Sequence, residues 1–199
     1  MNIQQWVSIT SENVILNGEP LVTESTGAEL LKELYRKRIN DYPKFFKMDE
    51  LSRLGFVASE LLLQCESPRV QDIESRAVIL FNRSGSMCND RKYQKTIDNM
   101  NDYFPSPLIF VYTLSNIVTG EIAIRNKYYG ETSFYVLRDF STQTIVDIVE
   151  TAFLDDMTES VICGWMDCDD RDNYCACLFL VGNGGESFNI EEINKKYIL

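Results

Sequence analysis

A continuous apolar run at residues 77–81 (AVILF) constrains the fold of this chain more than any other feature. An uninterrupted apolar run of this length, preceded by charged residues, is typical of a strand that is covered on both faces of a parallel or mixed sheet. Two earlier segments, residues 26–39 and 49–63, place leucines at intervals of three and four residues, which predicts amphipathic helices. The alternation of buried strands with such helices predicts an α/β architecture with helices on both faces of the sheet.

The same alternation continues to the end of the chain. We predict further strands at residues 6–9, 13–16, 133–137, 160–165 and 176–181, and further helices at residues 90–102, 108–127 and 142–154. A Gly/Ser turn, residues 82–86, follows the central strand, and an ordinary strand-to-helix turn is a better interpretation of it than a phosphate-binding loop. Since neither a linker nor a change of composition divides the chain, we expect residues 1–199 to form one domain.

The charge of the chain limits its partners. The sequence has 30 acidic and 19 basic residues, a net charge of -11, and this argues against a broad nucleic-acid interface. The exception is a basic cluster, which is either a solvated helix end or a local binding surface: Arg36, Lys37, Arg38, Lys44 and Lys47. The first residues do not resemble a secretion signal, and no apolar run approaches the roughly 20 residues of a membrane span. We therefore expect a cytoplasmic protein whose six cysteines are reduced.

Two clusters could suggest a metal site. Cys163, Cys168, Cys175 and Cys177 offer four thiols, but their spacing lacks the two-residue gap that is common in zinc sites, so small buried thiols are the better interpretation. The acidic run at residues 167–172 lacks the internal glycine and closing glutamate of an EF-hand loop, which favours a solvated turn. We expect neither a metal nor a cofactor.

A longer segment, residues 104–137, carries a resemblance to a known family. It resembles the region that precedes the nucleophile in β-ketoacyl-acyl carrier protein synthases, the ketosynthases of the thiolase-like superfamily. The matching residues are those of a helix, Asn116, Gly120, Ile122 and Ala123, and of a strand, Gly130, Ser133 and Phe134. Residues 77–86 and 161–164 are similar to other strands of that family. The resemblance covers roughly residues 50–182 and implies the N-terminal half of a ketosynthase, a thiolase-like half-fold with a mixed sheet of about five strands.

The catalytic residues that the resemblance would require are missing. An ungapped extension of the strand alignment places Phe140 at the position of the nucleophilic cysteine, and phenylalanine cannot form a thioester. The family also uses histidines, and this sequence has none. The adjacent Ser141 has no histidine base, so it is better interpreted as the N-cap of the following helix. The resemblance therefore implies a helper of acyl-chain synthesis without catalytic residues of its own.

The resemblance also implies a partner. Ketosynthases and their inactive partners pair through a strand beside the active site, which corresponds here to Ser133, Phe134, Tyr135, Val136 and Leu137. We expect a homodimer, or a heterodimer with a ketosynthase, that serves fatty acid, polyketide or aryl-polyene type synthesis, and we expect Phe134→Asp to break it. Two alternatives remain. One is a module that binds an acyl carrier protein or a coenzyme A thioester through the basic cluster, and the other is a residual acyltransferase that uses Cys163 or a cysteine of its partner.

Overall fold

The computed structural model describes residues 1–99, 101, 103–169 and 173–197. Their centre is one mixed sheet of eight strands, in the spatial order β3-β2-β1-β7-β6-β4-β5, with β8 paired to β1. The strands are β1 (Asn2–Thr10), β2 (Val14–Leu16), β3 (Glu19–Pro20), β4 (Arg76–Asn82), β5 (Thr132–Val136), β6 (Ser160–Cys168), β7 (Tyr174–Gly182) and β8 (Glu186–Ser187). Five of them, β1, β4, β5, β6 and β7, have five or more residues. The expected number of about five strands therefore agrees with these five longer strands. The other three strands are short, with two or three residues each.

The sheet combines parallel and antiparallel pairs. β4 lies between β5 and β6 and is parallel to both, whereas β7 is antiparallel to β6 and to β1. Parallel neighbours direct their carboxyl ends to the same edge of a sheet, so the loops after β4, β5 and β6 meet there. Ligand sites of open α/β sheets form at that edge.

Within the described ranges, seven α-helices accompany the sheet. They are α1 (Ala28–Leu34), α2 (Glu50–Leu63), α3 (Met87–Lys95), α4 (Pro107–Val111), α5 (Ile117–Asn126), α6 (Thr142–Ala152) and α7 (Ile190–Lys196). A π-helical turn, Tyr35–Ile39, and a 3₁₀ turn, Pro43–Lys47, follow α1. No helix in the described part of the chain is long and apolar enough to span a membrane.

The apolar run of β4 contributes side chains to two cores, one on each face of the sheet. Val78 and Leu80 of β4 face a first core, which includes residues of α1, α2 and α5. Ala77, Ile79 and Phe81 face a second core on the other side, which includes residues of α6 and α7. Because successive side chains of a strand point to opposite faces, an apolar run without alternation is the pattern of a strand with a core on each side.

Two predicted helices differ from the structure. The helix expected at residues 90–102 begins earlier, at Met87, directly after the Gly/Ser turn. The single helix expected at residues 108–127 is two helices, α4 and α5, separated by residues 112–116. Thr113 donates its hydroxyl to the carbonyl of Phe110, and such side-chain bonds compete with the helical backbone pattern. Of these two helices, only α5 packs against the sheet, since α4 has no buried residue.

Candidate functional site

A cleft of about 480 Å³ lies at the carboxyl ends of β4 and β6. Its wall combines the turn after β4, the first turns of α3, the loop after β5, the β6–β7 connection and the end of α7. The lining residues are Arg83, Ser84, Met87, Cys88, Arg91, Asp139, Phe140, Trp165, Asp167, Cys168, Asp169, Asn173, Tyr174, Cys175 and Tyr197. Because Phe140 belongs to this wall, the cleft is the place where the resemblance would put an active site.

Phe140 is held in an aromatic cluster. Its ring stacks on Tyr197 with the centroids 3.6 Å apart and meets Trp165 edge-on at 5.5 Å. The hydroxyl of Ser141 accepts the amide of Thr144 at 3.3 Å, which confirms Ser141 as the N-cap of α6. Neither residue presents an activated nucleophile to the cleft.

The polar groups of the turn at residues 82–86 form hydrogen bonds within the turn and with β6. The side chain of Asn82 accepts the Gly85 amide at 2.9 Å, and Gly85 has a φ of 60°, which favours glycine. Asp167 of β6 accepts the hydroxyl of Ser84 and, at 3.3 Å, the amide of Arg83. The amides of Arg83 and Gly85 are therefore already bonded, which supports the interpretation as a structural turn.

The cysteines separate into two environments. Cys163 and Cys177 belong to the second core and are fully buried, and burial raises the pKa of the Cys163 thiol well above its usual range. Cys88, Cys168 and Cys175 line the cleft instead. Burial, with the nearby Asp167, raises the pKa of Cys175 to about 11. The position of Cys163 argues against its use as a substitute nucleophile, because a thioester in the cleft cannot reach it.

The described residues of the clusters considered for metals do not assemble into a site. Within the described ranges, no three or more Cys, Asp or Glu side chains are arranged to hold a metal ion. In the acidic run, the side chain of Asp169 accepts the Asn173 amide at 3.1 Å and so stabilises the β6–β7 turn. Asp170 and Asp172 lie outside the described residues.

The predicted interface residues lie at one end of the sheet. β5 pairs with β4, and no described strand pairs with its other edge. Phe134 packs against the first core, Tyr135 stacks on Phe81 at 5.3 Å, and the Val136 side chain is 55% exposed. Ser133 is half-buried, and Leu137 continues the strand by donating its amide to the carbonyl of Asn82 at 2.8 Å.

The structure divides the basic cluster. Lys37 forms ion pairs with Glu24 and Glu33, and Lys44 forms one with the buried Glu121. Arg36, Arg38 and Lys47 are exposed, and the contacts of the described residues include no ion pair for them. Arg36 lies 6.0 Å from the ring centroid of Phe46, an exposed aromatic residue. Two of the five basic residues of the cluster are thus used in ion pairs within the protein.

Sequence reasoning missed several residues of the cleft. Trp165 and Tyr197 shield Phe140, although they are 25 and more positions away in sequence. Cys88 and Cys168 are 80 residues apart and adjacent in space. Short-range patterns cannot reveal such pairs, because they depend on the order of strands in the sheet.

Comparisons with known proteins concern the fold. No family model and no curated protein matches this sequence. Among solved structures, the ishigamide ketosynthase/chain length factor matches 92% of this chain with a TM-score of 0.70 and 16% identity. A ketosynthase, ApeO, in complex with its chain length factor ApeC from Xenorhabdus doucetiae matches 93% of the chain with a TM-score of 0.59 and 12% identity.

A third structure, the AntDE:AntF complex of a type II PKS acyl-carrier protein with its ketosynthase bound to the hexaketide, matches 90% with a TM-score of 0.59 and 11% identity. The chain spans 62%, 81% and 61% of these three matched chains, in the order given. The fold is therefore ketosynthase-like, and the predictions of a thiolase-like half-fold and of a mixed α/β sheet are confirmed.

Proposed function

We propose that this protein is a non-catalytic, ketosynthase-like partner in acyl-chain synthesis of the polyketide, aryl-polyene or fatty acid type. The observation that supports the proposal is the aromatic cluster around Phe140, the residue that the resemblance aligns with the nucleophile, because Tyr197 covers its ring. Condensation by the family's mechanism requires a thiolate that accepts the acyl chain. A phenyl ring in that place leaves the cleft unable to take part in covalent transfer.

The cysteines of this chain do not provide a substitute nucleophile. Cys163 is buried in the second core, and burial raises the pKa of Cys168 and Cys175 above that of a free thiol. A reactive thiol needs the opposite shift, toward the thiolate at neutral pH. The sequence also offers no histidine to act as a base.

The proposed partner surface is the open edge of β5. The amide of Leu137 bonds to β4, and the carbonyl of Glu131 accepts the Val78 amide. Since backbone groups of successive residues in a strand point to opposite sides, Thr132, Phe134 and Val136 direct their amides and carbonyls away from β4. An edge with free backbone groups can add a strand from another chain.

The matched structures support a ketosynthase as the occupant of this edge. Two of them are described as a ketosynthase with a chain length factor. A heterodimer joined at β5 would supply the missing nucleophile from the partner chain. A homodimer through the same edge is the competing outcome.

The interface test uses the exposed Val136. Val136→Pro removes the outward amide and leaves the β4 pairing intact, whereas Val136→Thr keeps the amide and a similar shape. Phe134→Asp is less suitable, because Phe134 packs against the first core and a charge there would also destabilise the monomer. We expect co-purification with a ketosynthase encoded nearby to be lost for Val136→Pro and kept for Val136→Thr. Equal association of both variants would exclude this edge.

The catalytic test is intact-mass analysis after incubation with acyl- and malonyl-thioesters of carrier protein and coenzyme A. We expect no mass increase, while an active ketosynthase in a parallel reaction gains its acyl group. An acyl adduct on this protein would overturn the non-catalytic assignment, and peptide mapping would identify the residue.

A second candidate function, binding of an acyl carrier protein or a coenzyme A thioester, rests on the exposed part of the basic cluster. Arg36 lies 6.0 Å from the ring centroid of the exposed Phe46, Arg38 and Lys47 are also exposed, and one matched structure contains an acyl-carrier protein. We expect an Arg36→Gln/Arg38→Gln variant to weaken carrier binding, and added salt to weaken the wild-type complex. Lys127→Asn is the control, since it removes one exposed charge elsewhere. Binding that is insensitive to salt and to both arginines would exclude this surface.

A further inference from the structure

Two thiols of the cleft wall lie in direct contact. The Sγ atoms of Cys88 and Cys168 are 3.8 Å apart, and the Cys88 thiol also donates to the carbonyl oxygen of Cys168 at 3.2 Å. Cys88 belongs to the first turn of α3, and Cys168 is the last residue of β6. The fold thus brings together two thiols that are 80 residues apart in the sequence. Both lie in the wall of the cleft, which is open to small molecules.

We propose that Cys88 and Cys168 form a reversible disulfide that locks α3 onto the end of β6 and narrows the cleft. A disulfide has an S–S length of about 2.05 Å, so the two sulfurs must approach by roughly 1.8 Å. Both cysteines lie next to the end of a regular element, where side-chain rotation and a small shift of α3 can supply this movement. This inference stands independently of the acyl-chain function, since it depends only on the two thiols and their position.

Formation of the Cys88–Cys168 disulfide requires an oxidant, and this oxidant is a low-molecular-weight disulfide such as glutathione disulfide. The thiolate of Cys168, the more exposed of the two, attacks one sulfur of glutathione disulfide and releases one glutathione thiolate. The thiolate of Cys88 then attacks the Cys168 sulfur of the mixed disulfide and releases the second glutathione. Two protein thiols are oxidised, one glutathione disulfide is reduced to two glutathiones, and the protons of the protein thiols pass to them.

The environment sets the speed of this reaction. Burial, together with the neighbouring Cys88, raises the pKa of Cys168 well above that of a free thiol. The thiolate is the attacking species, so oxidation is slow at neutral pH and becomes faster as the pH rises. In a reducing compartment the pair remains as thiols, and the disulfide forms when oxidant accumulates.

The third thiol of the cleft offers a control. Cys175 of β7 also lines the cleft, but the described contacts place neither Cys88 nor Cys168 against its sulfur. Cys65, half-buried just after α2, donates to the carbonyl of Leu61 and accepts the side-chain amide of Asn17 instead. Cys175→Ser and Cys65→Ser should therefore leave the disulfide unaffected.

The experiment incubates the full-length reduced protein with glutathione disulfide and analyses intact mass and unreduced peptides. We expect the loss of two hydrogens, a crosslinked peptide pair that contains Cys88 and Cys168, and full reversal by dithiothreitol. Cys88→Ser and Cys168→Ser should instead stop at a stable glutathione adduct or remain unmodified. We also expect the wild-type Tm to rise by about 5–15 °C on oxidation, because the crosslink closes a long loop, and not to rise in either serine variant.

Three results would overturn the inference. The first is a crosslink between other cysteines, and the second is a persistent glutathione adduct on wild-type protein without a crosslink. The third is an unmodified Cys88–Cys168 pair under conditions that modify Cys65. Since serine variants that keep their fold should match the Tm of the reduced wild-type protein in dithiothreitol, loss of the disulfide can be separated from loss of structure.

Discussion

The rings of Phe140 and Tyr197 lie nearly parallel, with an interplanar angle of 14° and centroids 3.6 Å apart. Phe140 directly precedes the N-cap of α6, and Tyr197 directly follows α7, so the start of one helix of the second core meets the end of the other at this contact. The resemblance aligns Phe140 with the nucleophile of a ketosynthase, and Tyr197 covers its ring. A cysteine introduced at residue 140 would therefore lie behind the tyrosine ring.

The first prediction tests this shielding. We expect Phe140→Cys to remain unacylated by thioesters and to react slowly with iodoacetamide, because Tyr197 covers the new thiol. The double variant Phe140→Cys/Tyr197→Ala should react several-fold faster at residue 140, since thiol reactivity depends on access. Peptide mapping after timed alkylation measures the rate at that residue alone. Equal rates in the two variants would contradict the shielding.

The second prediction compares two glycines. A Cβ at Gly164 would lie 2.1 Å from the carbonyl oxygen of Cys177, and its φ of 141° disfavours other residues, whereas a Cβ at Gly120 meets no atom within 4 Å. We expect Gly164→Ala to lower the free energy of unfolding by about 3 kcal/mol or more. Gly120→Ala, in the helix α5, should raise it by about 0.5–1 kcal/mol. Urea unfolding of both variants measures the difference, and similar values for the two would contradict this account of β6.

The third prediction concerns a buried ion pair. Arg76 is 3% exposed and donates to both carboxylate oxygens of Glu66, at 3.0 and 2.7 Å, and to Ser160 at 2.9 Å. Glu66→Ala leaves the guanidinium charge without its partner, so we expect a loss of about 3 kcal/mol. The double variant Glu66→Leu/Arg76→Met should be more stable than Glu66→Ala, since it removes both charges. Thermal or urea unfolding checks the order, and a double variant that is less stable than the single one would refute it.

The fourth prediction concerns pH. The ammonium of Lys37 at 2.9 Å, together with the amides of Glu24 and Ser25, lowers the pKa of Glu33 to about 2. A carboxyl group with a folded-state pKa below its unfolded value stabilises the fold above the unfolded value of about 4.3 and loses this contribution as the pH falls toward 2. Glu33→Gln should therefore be less stable than wild type at neutral pH, with a difference that shrinks between pH 4.5 and 2.

Unfolding curves at several pH values provide the measurement, and Glu12→Gln in an exposed turn controls for the loss of one negative charge. A Glu33→Gln difference that stays constant across the acid range would mean that the carboxylate contacts do not form.

The sequence predicts those parts of the fold that depend on local periodicity. The apolar run of β4 identified a strand with a core on each side, and the leucine spacing of α2 identified its buried face. The break between α4 and α5 was not predicted, because the hydroxyl of Thr113 acts through a backbone bond that hydrophobicity does not encode.

The candidate site was predictable only in part. Phe140 was singled out through an ungapped extension of the family resemblance, and its role stays a prediction, whereas Ser141 was identified through the residue preferences of helix N-caps. The contact of Phe140 with Tyr197, and that of Cys88 with Cys168, depend on which strands are neighbours. That order is set by long-range packing and has no local signal in the sequence.

The pairing of the first strand with the seventh has a consequence for synthesis. β1 bonds to β2 within a short hairpin, but its other edge pairs with β7 from Asn2 opposite Gly182 to Thr10 opposite Cys175. During translation this edge stays unpaired until β7, more than 160 residues after β1, has left the ribosome. Contacts between such distant residues slow folding, and an unpaired apolar strand is a template for aggregation. The nascent chain therefore carries an exposed strand edge while all the elements between β1 and β7 are made, which makes β1 a segment that a ribosome-associated chaperone would protect.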